Sequence, residues 1–397
     1  MVRTGLARLL ALSLGLQMLL TTPPARTQVP ATDPGNPLRS SNSSAQLASE
    51  GTAPTSPPSS PSMEIERTIP SLAPPVAADA VDHVRLDDSS GRAPGGFSPI
   101  FDPLVGHAPI RADYRVTWLP AEPVVGQSTN LGYVQQDLSL AFPLWQCSTD
   151  EWLASANLRT ETFHTQALLP DTQQRFPEDL WNIRFGTTYR HLFENGWMAG
   201  GTVTVGSASD QPFHSINEMT AGINAFLRAP QGQHNAWLFT LSYSPVSELP
   251  YPIPGVAFLW QPSEYFRANI GLPFQVTWRP VEDLTLDVSY MLLTTFHARA
   301  TYRLCRRVRI YGAYGVENEG YLLADRVDSN DRFFNVDQRL TAGVLFNLTP
   351  KAALDLSSGY LFDHHFFEGK NITSGNNFNR IDVGNEPYVA LQFRVRW

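Results

Sequence analysis

The chain has 397 residues, with 29 lysines and arginines against 37 aspartates and glutamates, a formal net charge of -8 and 42% hydrophobic residues. That acidic balance excludes nucleic acid as a partner, because a phosphate backbone is held by clustered Lys and Arg. Two cysteines, Cys147 and Cys305, are too few for a disulfide framework.

Arg3 and Arg8 flank the start of LLALSLGLQMLL, Leu9 to Leu20, which is apolar and uncharged. A membrane-spanning helix needs about 20 apolar residues. A basic start followed by a shorter apolar run is instead the pattern of a secretory signal peptide. It is expected over 1–25, with Ala25 in TTPPAR the nearest small residue. No cysteine follows the run, so a lipid anchor gains no support. Residues 26–110 change character: they include SSNSSAQLASEGTAPTSPPSSPS, and no aromatic residue occurs before Phe97. Such a stretch cannot bury enough apolar surface to offset its ordering entropy. A disordered linker is expected there, with room for one short helix near VAADAVDHVRLDD. It serves as a leader, or as a segment that spaces or threads a pore.

From Arg111 the pattern changes to alternation. In LWNIRFGTTYR, Trp181, Ile183, Phe185, Thr187 and Tyr189 share one face, and Asn182, Arg184, Gly186, Thr188 and Arg190 the other. Side chains on a strand point to opposite faces in turn, so each such run is a strand with an apolar and a polar face. WLASANLRT, AWLFTLSYS, LTLDVSY, FHARATYRL, RLTAGVLFNL and ALDLSSGYLF repeat the pattern. No segment carries a helical period with caps. Residues 111–397 are therefore expected to be all-β and antiparallel.

The apolar face can meet a shared core or lipid. Aromatics at its ends (Trp181 and Tyr189, Trp237 and Tyr243) favour lipid, since eight residues span about 26 Å, the height of a membrane barrel's apolar band. Connections also alternate. CSTD at 147–150, FENG at 193–196, CRR at 305–307 and TPK at 349–351 are tight, and those near 164–178, 207–217, 317–334 and 363–387 are long. Short periplasmic turns and long outer loops are the habit of outer-membrane barrels. The last strand, YVALQFRVRW, puts Val389, Leu391, Phe393, Val395 and Trp397 on one face. This ending resembles the terminal signal by which assembly machinery recognises barrel strands. The resemblance implies export, periplasmic chaperones, and assembly into the outer-membrane lipid of a Gram-negative bacterium. GLPFQVTWRPVEDLTLDVSY and the following ARATYRL resemble a bacterial outer-membrane barrel domain family of unknown function, and that resemblance implies the fold without an activity.

At about 18 residues per strand and connection the body holds roughly 16 strands; the segments that can be drawn give about 12–16, an even number. A barrel of that size encloses an aqueous lumen unless something fills it. The expected lumen-lining residues are Arg184, Arg190, Arg299, Arg303, Asp287, Asp355 and Arg394, joined by Arg228, Arg339, Arg396, Asp137 and Glu161. A ring of arginines favours anions, whereas pairing with the carboxylates gives a plug-like network. Asp363, His364 and His365 are expected to open the last outer loop with diverging side chains. Asp325, Asp328, Asn330 and Asp331 read as a solvated acidic loop. Cys147 and Cys305 are expected to be separate thiols in turns. No GxSxG occurs, and His191 and His297 have no serine partner in sequence, so no catalytic residue, metal or cofactor is expected. The leading expectation is a porin-like passive or weakly selective channel for small polar solutes. The alternatives are a closed structural or surface-binding barrel acting through its outer loops and, behind it, a barrel lipase.

Overall fold

The structure, a computed structural model, describes residues 108–397 apart from 233, 248, 292–294, 327 and 373–376. The expected signal peptide, the short helix near 76–88 and nearly all of the linker lie outside the described residues. The strands are β1 (Arg111–Pro123), β2 (Asn130–Gln146), β3 (Asp150–Thr165), β4 (Asp179–Leu192), β5 (Met198–Ser209), β6 (Met219–Gln231), β7 (Asn235–Tyr243) and β8 (Ile253–Ser263). They continue as β9 (Phe266–Gly271), β10 (Phe274–Val281), β11 (Leu284–Met291), β12 (Thr295–Cys305), β13 (Val308–Tyr321), β14 (Arg332–Thr349), β15 (Ala352–Gly369), β16 (Phe378–Asp382) and β17 (Glu386–Arg396).

Each strand pairs antiparallel with the next from β1 to β15, β17 pairs with β15, and β1 closes the ring by pairing with β17 from Arg111↔Arg396 to Trp118↔Val389. The result is a closed barrel of 16 strands with one extra strand. The extra strand is β16, which pairs only with the upper end of β15. Trp397 donates its backbone N–H to the Ile110 carbonyl at 3.0 Å, so the chain ends at the seam.

The tight turns fall at one end: 147–149, 193–197, 232–234, 264–265, 282–283, 306–307 and 350–351. The long connections, 166–178, 210–218, 322–331 and 370–385, fall at the other. The wall is uneven. Between β9 and β10 the connection at the long-loop end shrinks to 272–273, and β9 to β11 are short. Pro273, between β9 and β10, and Pro280, near the end of β10, fall in this stretch, and proline removes a ladder donor.

Outward side chains are apolar and half exposed: Phe185 at 55% and Leu340 at 58% among them. Inward ones include Arg190 and Asp355, each at 2%. That is a soluble barrel turned inside out, and it suits lipid outside. Trp145, Trp152, Tyr189, Trp237, Trp260, Trp278, Tyr302 and Trp397 ring the short-turn edge of the apolar belt, and Trp118, Tyr290 and Tyr360 mark the other edge. In β17 the alternation holds as expected: Val389 and Leu391 are exposed to the outside while Gln392 and Arg394 reach Asp113 within the barrel.

Candidate functional site

The lumen is where this barrel departs from an open pore. Its long-loop half is filled by one apolar core. Wall residues Leu119, Leu131, Tyr133, Phe163, Leu180, Phe333, Leu361, Phe366 and Tyr388 meet Ala167, Leu169 and Phe176 from the β3–β4 connection, and Ile381 and Val383 from the β16 excursion. Phe176 is the hub, with ring centroids 5.0 Å from Phe163, 5.6 Å from Phe333 and 5.0 Å from Phe366, all edge-on. Edge-to-face stacking at such distances adds to the roughly 1.5–3 kcal/mol gained per buried large side chain. Gly359 makes room for part of this core. A Cβ there would lie 2.2 Å from the Leu340 carbonyl and 2.7 Å from the Tyr388 ring, so Tyr388 can lie flat against the wall.

Polar groups bolt the loops to this core. Asn379, at φ 54 in β16, accepts from the Asp171 and Thr172 backbone amides at 3.0 Å each and donates to Glu368 at 2.7 Å. Lys370 pairs with Asp328 at 3.0 Å. The Asn330 amide and that ammonium hold the Asp328 carboxyl below the usual aspartate range, and Asp328 pushes the Lys370 amine up in turn. The expected acidic loop is thus clasped to the end of β15.

Opposite walls also touch. Arg159 of β3 pairs with Asp137 of β2 at 2.8 Å and with Glu319 of β13 across the lumen. Asn335 of β14 donates to Glu161 of β3 at 3.2 Å. The Leu322 amide donates to the Ala208 carbonyl of β5 at 2.7 Å, joining β13 to a strand half-way round the ring. Arg332 donates to the Pro245 carbonyl at 2.5 Å, and Val246 packs on the core, so the β7–β8 connection folds over as well. On the remaining side Met291 packs against the inward patch of Met198, Phe226, Leu238 and Leu259.

The short-turn half keeps a polar lining. Asp355 is the centre of one network: it accepts from the Tyr311 hydroxyl at 2.8 Å, and Arg394 and Arg299 lie at 3.4 and 3.9 Å. The Arg299 guanidinium stacks 3.5 Å above the Tyr311 ring, a cation–π contact. Arg394 also faces Asp113 at 3.5 Å, and Asp287 accepts from Thr277 at 2.8 Å. Across the lumen, buried Arg190 pairs with buried Glu151, which also accepts from the Ala108 amide at 3.0 Å. Arg303 faces inward but sits at the rim, tied to Asp283 and Glu282 of the adjacent turn. Arg339 is taken up by Asp337 and Glu317. Arg184 and Arg228 stand apart: both face inward, half-buried, with no carboxylate partner among the described residues.

Several expectations need restating. The lumen is expected to be aqueous unless something fills it, and the apolar core and the cross-lumen pairs fill its long-loop half. Most of the expected arginines are paired with carboxylates, the plug-like alternative to an anion ring. Asp363, His364 and His365 do not open a loop, because β15 runs on to Gly369. Asp363 adopts φ 53, and the ladder to β14 slips between Val336 and Gln338. One extra residue shifts the alternation, so His364, Phe366 and Glu368 turn inward. The histidine side chains do diverge: His364 is buried inside, while His365 turns back on Asp363. Cys147 and Cys305 are free thiols, both at the short-turn end. His191 lies 2.7 Å from Asp150 at the same end.

Sequence reasoning missed the core itself and the His364 cluster. The one available signal for His364 was the break of alternation in FDHHFFEG. The core had none, since its members come from strands and connections dispersed over the whole body.

The fold and the apolar belt define a transmembrane β-barrel of the outer-membrane class. Solved structures with a similar barrel include an outer membrane channel from Pseudomonas putida F1 (10% identity, covering 75% of this chain and 98% of that one, TM-score 0.34) and OccK7 of Pseudomonas aeruginosa (8%, 73% and 100%, TM-score 0.34). The β domain of the Bordetella autotransporter BrkA is another (11%, 73% and 100%, TM-score 0.28). At such identities the likeness extends to barrel architecture alone. No family model matches the chain and no curated protein is similar to it, so the family resemblance of 271–290 and 298–304 stands only at the level of the outer-membrane barrel.

Proposed function

We propose that this protein is an outer-membrane channel held shut at rest, gated by the β3–β4 connection and the β16 excursion that rests on it. The observation that carries the reading is the division of the lumen: a polar lining at the short-turn end beneath an apolar seal at the long-loop end. The seal depends on side chains borne by connections, and connections are the parts of a barrel that open most readily. In this reading the short-turn end faces the periplasm, and the solutes are small and polar. Arg184, free of a carboxylate, gives the opened path an anion preference.

The test is conductance of the mature protein in a planar bilayer, beside a variant lacking 167–176. The parent is expected to be mostly silent and the deletion to pass current in discrete, anion-preferring steps. Silence in both, with insertion verified, sinks the gated channel and leaves the second reading, a closed barrel acting through its long-loop end. That reading draws on the share of the seal built from wall residues, such as Tyr133, Phe333 and Phe366.

The terminal strand supplies the recognition signal for assembly in this proposal, through Val389, Leu391, Phe393, Val395 and Trp397. Trp397→Ala should lower the fraction of chain reaching the outer membrane in folded form, while purified protein still refolds in detergent. Equal assembly in cells would remove Trp397 from that role.

A further inference from the structure

His364 is wholly buried between three strands of the seal. Its Nδ1 lies 2.9 Å from Glu386 Oε1 and its Nε2 3.1 Å from Asn335 Oδ1. The Asn335 orientation is fixed by its own amide, which donates to Glu161 across the lumen. Both ring nitrogens of His364 therefore face oxygen acceptors. A neutral imidazole beside a carboxylate has one hydrogen for two such contacts. The geometry is satisfied only with one more proton: imidazolium beside carboxylate, or neutral imidazole beside a protonated Glu386. A buried contact left without its hydrogen is costly. The surroundings favour keeping that proton. Glu161 faces the cluster from β3, and Glu122 of β1 and Asp337 of β14 stand near Glu386. Arg339, the nearby cation, is already bound to Asp337 and Glu317. Tyr133 and Phe366 close the site with rings 5.9 and 4.8 Å from the imidazole.

The position gives the proton leverage. Glu386 is the first residue of β17, where the β16 excursion rejoins the wall. That excursion carries Ile381 and Val383 into the seal and caps the β3–β4 connection through Asn379. We infer that His364 and Glu386 form a proton-holding bolt that keeps the barrel shut and releases the β16 excursion when pH rises and the proton passes to water. The buried pair holds its proton to higher pH than the unfolded chain does, because both ring nitrogens face oxygens, so the contribution is present at low pH and lost as pH rises. This rests on the gated-channel reading for its consequence, but not for its chemistry.

The experiment measures the temperature at which the folded form converts to the unfolded form on a denaturing gel, at pH 6 and pH 9, for the full mature chain. Wild type should fall by about 5 °C at the higher pH. Glu386→Gln, whose amide donates to Nδ1 and has no proton to lose, should show no such fall. A wild type without the pH slope, or a Glu386→Gln variant with the same slope, overturns the bolt. Should Glu386→Gln fail to fold, His364→Gln takes its place with the same two outcomes. Conductance at both pH values separates the two ideas. A slope in melting with no current from wild type or the loop deletion keeps the bolt and sinks the channel; current without the slope does the reverse.

Discussion

Phe176, carried by the β3–β4 connection, lies edge-on to Phe366 of β15 with ring centroids 5.0 Å apart. One is on a loop and the other on the wall, and Phe333 and Phe163 close around them. This contact turns a wide barrel into a closed one.

Removing the Phe176 ring should loosen the seal. Phe176→Ala empties the centre of a buried cluster, a change that costs about 3–5 kcal/mol in well-packed cores. The expected outcome is a lower melting temperature and brief channel openings in a planar bilayer. A stable, silent Phe176→Ala barrel would show that the wall closes the lumen without the loop.

Arg159 should be harder to remove than its surface counterparts. Its side chain is 8% exposed, and it serves Asp137 and Glu319 together. Arg159→Met takes the cation away from two inward carboxylates, worth about 3–5 kcal/mol of destabilisation. Adding Asp137→Asn and Glu319→Gln should recover much of the loss. A thermal melt series of the single and triple variants reads this directly, and no recovery would mean that Arg159 acts through packing.

Acid should release the Asp328–Lys370 clasp late. The Asp328 carboxyl is held below its ordinary range, so its contribution is present above the unfolded value and is lost as pH falls through the lowered folded value. Pepsin, active in acid, should start to cut the 322–331 connection of wild type only below the usual aspartate range. Asp328→Asn should be cut across the whole range. Identical digestion of both proteins would show that the clasp does not order the connection.

Both thiols should be reachable from one side of the membrane. Cys305 is exposed at the end of β12, and Cys147 is half-buried with its Sγ 3.6 Å from Asp150 Oδ2. A membrane-impermeant maleimide should label neither in intact cells and both once the outer membrane is permeabilised, Cys305 the faster. Labelling in intact cells would reverse the proposed orientation.

The sequence by itself determined most of the strands, most of their faces and the two ends of the barrel. Alternation in segments such as LWNIRFGTTYR is a local property of successive residues, and turn length is local too. Lipid rewards the apolar face of each strand separately, so the signal is written strand by strand. What fills the lumen was decided only in three dimensions. Phe163, Phe176, Phe333 and Phe366 meet because closure of the ring through β1 and β17 brings β3 within reach of β14 and β15, a meeting of inner faces that no local pattern encodes. The same holds for His364. Read by strict alternation it faces out, and one bulged residue, Asp363, turns it inward to Glu386 and Asn335. The wall follows from short-range periodicity, and its interior follows from contacts between residues far apart in the chain.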